Sequence, residues 1–323
     1  MGRQDGGTAN LAAPVAWPAD ACRAARKLAE IIQQLQPDVV HAMRIPYEGM
    51  LAALAKERLS QVCPPLLISV WGNDFTLHAP STPWMAALTR QALGAATGVH
   101  TDCRRDLRLA HEWGFDPALP AVVLPGAGGI QTDLFYPPVK QNDSNAPKVI
   151  NPRGIRAYVR NDTFFKAIPR VLSQRPKARF ICPTMAGEAQ PMRWIAQYDL
   201  REAVELLPKI SRPQMAELFR TAQVAVSPST HDGTPNTLLE AMACGCFPVA
   251  GDLESLREWI TPGENGLLVD PGDPQALAEA ILQALGDAQL RKQAASLNHA
   301  LVLEFAEYGR VMQQAEKFYS QLI

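Results

Sequence analysis

What most constrains this chain is the regular return of short apolar β-type runs between amphipathic helical ones, from about residue 20 to the end. The first half carries four such runs, "DVVHAM", "PLLISVW", "GVHTD" and "AVVLPG". The second half carries six: "KVINPRG", "ARFICP", "AVELLP", "QVAVSPS", "CFPVAG" and "GLLVD". Strands this apolar are buried on both faces, and strands that alternate with helices pair in parallel. The helices between them are of the type of "ACRAARKLAEIIQQL" and "SRPQMAELFRTA". Near the carboxyl end, "DPGDPQALAEAILQALGD" opens on Asp and Pro, and "AEYGRVMQQAEKFYSQLI" reads as a last helix. The pattern predicts a doubly wound α/β architecture. A chain of 323 residues exceeds what one core usually serves. The polar "YPPVKQNDSNAPK", Tyr136 to Lys148, is the best linker. Two Rossmann-like parallel-sheet domains are therefore expected, over residues 1–140 and 141–323. Their cleft would lie at the C-terminal strand ends.

Bulk properties narrow the function. A net charge of -1 and the absence of a dense Lys/Arg run argue against a nucleic-acid partner. The most basic cluster, "CRRDLRLAHEWG" with Arg104, Arg105 and Arg108, reads as a solvated helix face; a peripheral contact with the inner face of a membrane is the alternative. The six cysteines are scattered, with no Cys-x-x-Cys pair. This points away from a zinc site or a disulfide framework and toward a reducing, cytoplasmic setting. No apolar stretch reaches the length of a membrane-spanning helix, and the polar, Gly-rich start is unlike a signal peptide.

The stretch "SPSTHDGTPNTLLEAMACGCFPVAG", Ser227 to Gly251, is the most informative. Thr234 is placed to serve as N-cap, with Pro235 at the first helical position. The helix then runs from Asn236 to Ala243, with Gly245 as a left-handed stop. Asn236, Thr237 and Glu240 share one face, while Leu238, Leu239 and Met242 point to the core. A helix that opens from the C-terminal end of a strand presents free amides to an anion. Glu240 lies too far along to cap it; a carboxylate there is either solvated or accepts bonds from hydroxyls. Phosphate at the helix tip with hydroxyls beside it describes a nucleotide or a sugar phosphate.

With these residues in view, the chain resembles the GT-B glycosyltransferases of family 4, a retaining group that uses nucleotide-sugar donors. The resemblance rests on "PSTHDGTPNTLLEAMACGCFPVAG" and "WITPGENGLLVDPGDPQALAEAI". The first half adds "QPDVVHAM", "ISVWGNDF" and "GAGGIQTDLFYPP"; the Gly126/Gly128/Gly129 cluster alone signals only a turn. It implies that Asp232 contacts donor sugar hydroxyls and Glu240 the ribose. Gly233, Pro235, Asn236 and Thr237 would lie at the diphosphate. Arg153 and Arg160, on the loop "NPRGIRAYVRNDTFFKA", would neutralise the leaving diphosphate, with Arg156 as a third cation able to replace either. Base selection falls near "LLPKIS", at Leu207. His41, Trp71, Asn73 and Asp74 are cleft candidates, Trp71 by stacking on a sugar; a structural histidine is an equal reading of His41. The resemblance further implies metal-independent chemistry without a cofactor, in keeping with the lack of any Asp-x-Asp, and a last helix that crosses back to the first domain. UDP is the commonest expectation for the donor.

The front departs from the pattern. "MGRQDGGTANLAAPVAWPAD" shows no strand, so the first domain is expected to lack its first strand or strands. A homodimer or a partner subunit would then cover the exposed sheet edge. A non-catalytic nucleotide-sugar-binding subunit is the alternative to a transferase with an unidentified acceptor. An epimerase or a phosphorylase on the same fold is more remote.

Overall fold

The computed structural model describes residues 18–59, 63–125, 128–139 and 146–323. Residues 1–17, most of the strandless front, lie outside them, as do Gly126 and the 140/141 domain junction.

All ten predicted strands form. The first sheet holds β1 (Val40–Ala42), β2 (Leu66–Val70), β3 (Gly98–Thr101) and β4 (Ala121–Val123), parallel and in the order β1-β2-β3-β4. Helix α1 (Ala19–Leu35) precedes it, and α2 (Met50–Leu59), α3 (Pro83–Ala95) and α4 (Arg104–Glu112) connect its strands. Sequential order with right-handed crossovers puts every connecting helix on one face. The core agrees: Leu66, Ile68, Val70 and Val99 pack with Ala53, Leu88 and Ala110 of those helices.

The second sheet contains β5 (Lys148–Ile150), β6 (Arg179–Cys182), β7 (Val204–Leu206), β8 (Val224–Ser227), β9 (Phe247–Gly251) and β10 (Leu267–Val269). All are parallel, in the order β10-β9-β8-β5-β6-β7. Its helices are α5 (Asn161–Gln174), α6 (Ala189–Gln197), α7 (Arg212–Thr221), α8 (Asn236–Ala243), α9 (Pro274–Gly286), α10 (Ala288–Phe305) and α11 (Tyr308–Leu322). Successive strand residues point to opposite faces. Val149, Phe180, Val224 and Phe247 accordingly share one core with α5 and α9. Ile150, Ile181, Ala225 and Ala250 share another with α7 and α8. Two buried faces explain why these strands read as continuous apolar runs rather than as alternation.

Gly245 takes the left-handed stop after α8 at φ +81°. Helix α8 covers the expected run Asn236–Ala243, but its N-cap is Pro235, with an extended ψ of 128°, rather than Thr234. Thr234 is occupied elsewhere, donating to the Asp102 carbonyl at 2.6 Å and accepting from Trp259 Nε1 at 3.1 Å.

Candidate active site

The strand order of the second sheet reverses between β5 and β8. Connections from β5 lead to β6 and β7, those from β8 to β9 and β10. Ligands of open α/β sheets settle at such a switch point, beyond the carboxyl ends of the strands. Two loops flank it here. The loop after β5 is pinned by Asn151 and Asn161, whose side chains bond at 2.9 Å, Asn161 also donating to the Gly154 carbonyl at 2.9 Å. The loop after β8 leads into α8. Arg153 of the first and Asp232 of the second meet at 2.6 Å, and Arg153 also donates to Thr237 Oγ1 at 3.3 Å. The pair is nearly out of solvent, at 10% and 13% side-chain exposure. Burial raises the Asp232 carboxyl; Arg153 opposes the shift. No side chain caps α8, so its dipole and first amides are left to the site.

These groups line one wall of a cleft of about 560 Å³, together with Arg156, Tyr158, Pro235, Asn236 and Thr237. His41, Trp71 and Asn73 lie on the opposite wall, from the first domain. His41 is bonded on both ring nitrogens, to Tyr319 at 2.5 Å and to Ser69 at 2.7 Å; Ser69 continues to His100 at 2.8 Å. Burial and His100 lower His41 to about 4, so its ring is neutral at physiological pH.

Other expected residues sit elsewhere. Asp74 is buried beneath the cleft, accepting from Arg44 at 2.8 Å, Ile45 N at 3.0 Å and Trp71 N at 3.2 Å, so it shapes the Trp71 loop rather than meeting a ligand. Arg160 folds back on Asp162 with two bonds of 2.8 and 2.9 Å, outside the cleft lining; Arg156 is the second cation that faces it. Leu207 is not a lining residue, and its main chain is engaged with Cys182, Met185 and Ala186. Gly233 is buried at the joint between the domains.

Glu240 lies deeper on α8, 3.3 Å from Arg212, which also bonds Gln131 at 3.0 Å and stacks over Phe135. Burial pushes Glu240 up to about 7, and Arg212 restrains the shift. Between the ordinary carboxylate value of 4.5 and about 7 the folded chain holds a proton that the unfolded chain has lost. Stability therefore falls as pH rises through that window. Glu240→Gln is expected to flatten this slope and to be the more stable protein at pH 8, which urea denaturation at pH 5 and 8 measures.

Three residues that shape the cleft escaped the sequence reading. Asp102, at the end of β3, lines the cleft; burial and then Asp106 hold its carboxyl well above the ordinary value. Arg105 is buried and joins the domains: Nη1 donates to the Asp232 carbonyl at 2.8 Å and to Ser255 at 3.0 Å, Nη2 to the Gly72 carbonyl at 2.9 Å, and Nε to Asp106 at 2.9 Å. Around it, Glu258 of the second domain accepts from the first two amides of α4, and Glu254 accepts two bonds from Arg108. The basic cluster is thus an interdomain clasp rather than a solvated face. Gly72 and Gly233 cross where a Cβ on either would overlap the other domain's atoms. Tyr319, from α11, brings the end of the chain against the first sheet.

Asp102, Cys103 and Asp106 form the one three-residue grouping of metal-type side chains among the described residues; the Arg105 guanidinium already supplies its countercharge. Among the described residues no helix is long and apolar enough to cross a membrane.

Known proteins resemble the chain along both halves. Residues 155–287 match the family model described as glycosyl transferases group 1, and residues 3–126 that of a glycosyl transferase 4-like domain. The D-inositol 3-phosphate glycosyltransferase of Jonesia denitrificans is 28% identical over 218 residues, 59% of this chain and 50% of the relative. That of Thermomonospora curvata is 32% identical over 127 residues, 38% of this chain and 29% of the relative. The chain thus spans half or less of the length of these relatives. Among solved structures, sucrose-phosphate synthase from Thermosynechococcus elongatus superposes with a TM-score of 0.75 at 19% identity, covering 97% of this chain and 82% of that one. Anabaena Alr3699/HepE in complex with UDP and glucose gives 0.76 at 18%, covering 91% and 81%. At these identities the likeness is one of fold.

Proposed function

We propose that this chain, a GT-B fold whose two halves each match a glycosyltransferase model, transfers a sugar with retention from a nucleotide-sugar donor, a UDP-sugar first, to an acceptor hydroxyl. The observation that carries the reading is the Arg153–Asp232 contact at the switch point of the second sheet, beside the uncapped start of α8. A diphosphate there draws on Arg153, Arg156 and the amides of α8, and the sugar hydroxyls on Asp232. In the reaction the bond from the anomeric carbon to the diphosphate oxygen breaks and a bond to the acceptor oxygen forms. The acceptor's proton passes to the departing diphosphate. Catalysis is charge stabilisation at the leaving group by two guanidiniums, a role for which this reading needs neither a metal ion nor a cofactor. Glu240, further along the same helix face, holds the ribose hydroxyls. The likeness to Anabaena Alr3699/HepE in complex with UDP and glucose supports the donor class.

Thermal unfolding with UDP, GDP or ADP tests this. Ligand at a hundredfold over its dissociation constant should add ~2.7 kcal/mol. We expect the shift with UDP and its loss in Glu240→Ala. No shift with any of the three would sink the reading.

A further inference from the structure

The four-stranded sheet has its connecting helices on one face, as its sequential strand order requires. Its second face carries His41, Leu67, Ser69 and His100, and what lies across from it is α11, from the far end of the chain. Sheet and helix touch at the Tyr319–His41 contact and where Leu322 lies against Gly98. They border a trough that belongs to the same cleft as Arg153 and Asp232. Most of its lining is apolar: Met43, Leu67 and Leu124 from the first domain, and Met312, Ala315 and Phe318 from α11. Met43 and Trp71 stand 54% and 52% exposed at its mouth. Its polar groups are the chain Tyr319–His41–Ser69–His100 together with Asn73 and Asp102.

The charges are as one-sided. The arginines lining the cleft among the described residues, Arg153 and Arg156, both come from the second domain. On the first domain's side Arg44 is tied to Asp74 and lies over the Trp71 ring, and Arg105 is buried and paired with Asp106; neither lines the cleft. His41 and His100 are both held below the ordinary histidine value by burial, and Asp102 is the carboxyl in the wall. Among the described residues an acceptor phosphate would meet no cation there, whereas an alkyl or aromatic group would meet Met43, Trp71, Met312 and Ala315.

We infer that the trough binds the apolar part of an uncharged acceptor, a hydroxyl-bearing amphiphile such as a glycoside with an alkyl or aromatic aglycone, and that it disfavours sugar phosphates. This rests on the transferase reading above, with the donor on the opposite wall. It separates the chain from relatives whose name specifies a phosphorylated inositol.

The test is ligand-observed NMR on UDP-saturated protein with two probes, octyl glucoside below its micelle-forming concentration and glucose 6-phosphate. Octyl glucoside is expected to bind more tightly by on the order of tenfold, the worth of burying about two methylenes. Ala315→Glu, and independently Met312→Glu, should remove that advantage while leaving the thermal shift with UDP intact, which shows that the variants fold. Glucose 6-phosphate binding as tightly, octyl glucoside binding equally well in both variants, or neither probe binding while UDP does would each overturn the inference. Failure of UDP to bind the unaltered protein would instead remove the donor reading beneath it.

Discussion

Arg153→Ala is expected to lower sugar transfer by roughly 10²–10³-fold, the loss seen when one preorganised charge donor to a developing anion is removed. Arg153 bonds Asp232 and Thr237 at once, so it sets the donor-side acid and reaches the start of α8 with the same guanidinium. Its removal also strands a carboxylate in a place where water does not compensate it. Burial already raises the Asp232 carboxyl, and without its main opposing charge it rises further, toward the protonated form. A protonated Asp232 can still donate to a sugar hydroxyl, but it no longer polarises one. The chemical and the structural losses separate in a double variant. Arg153→Ala with Asp232→Asn should regain folding stability over Arg153→Ala alone, because no charge is left unpaired, yet stay as slow in transfer. Release of sugar from a UDP-sugar, measured beside urea unfolding for the three proteins, checks both halves. A double variant that recovered turnover would show that Arg153 matters only as a counterion.

The same two residues show what the sequence makes legible. Strand runs buried on both faces leave an unmistakable apolar signature, and all ten strands lie where that signature places them. The Asp232 loop and α8 could be read because a Gly-Thr-Pro-Asn start and a left-handed Gly245 stop are local chemistry. What stayed hidden is non-local. Nothing within "CRRDLRLAHEWG" tells a solvated arginine from one that crosses to Ser255, 150 residues away. Arg160 and Arg156 are equivalent on paper; Asp162, two residues on, captures the first and so leaves the second to the cleft. Asp102 had a usable signal, a carboxyl at the C-terminal end of a parallel strand, which is where such folds put their ligands. Thr234 was misassigned because its side chain is claimed by Asp102 and Trp259 before the helix can use it.

Arg105→Leu carries the second large effect, and it acts through the joint between the domains. Nε and both terminal nitrogens of Arg105 are bonded at a side-chain exposure of 5%. Leucine would leave the carbonyls of Gly72 and Asp232 without this donor and Asp106 without its counterion. Breaking a buried pair from one side costs about 3–5 kcal/mol. Here the loss falls on the seam where Gly72 crosses Gly233 and Glu258 caps α4. The expected result is therefore separation of the domains before global unfolding. In small-angle scattering the radius of gyration of Arg105→Leu should exceed that of the unaltered chain, and UDP should bind it more weakly because the Asp232 loop has lost its anchor. Arg108→Ala is the internal control. That residue is half exposed and its bonds to Glu112 and Glu254 are screened, so it should change neither quantity appreciably. An Arg105→Leu protein as compact as the original, with UDP affinity unchanged, would mean that the clasp follows closure of the cleft rather than holding it.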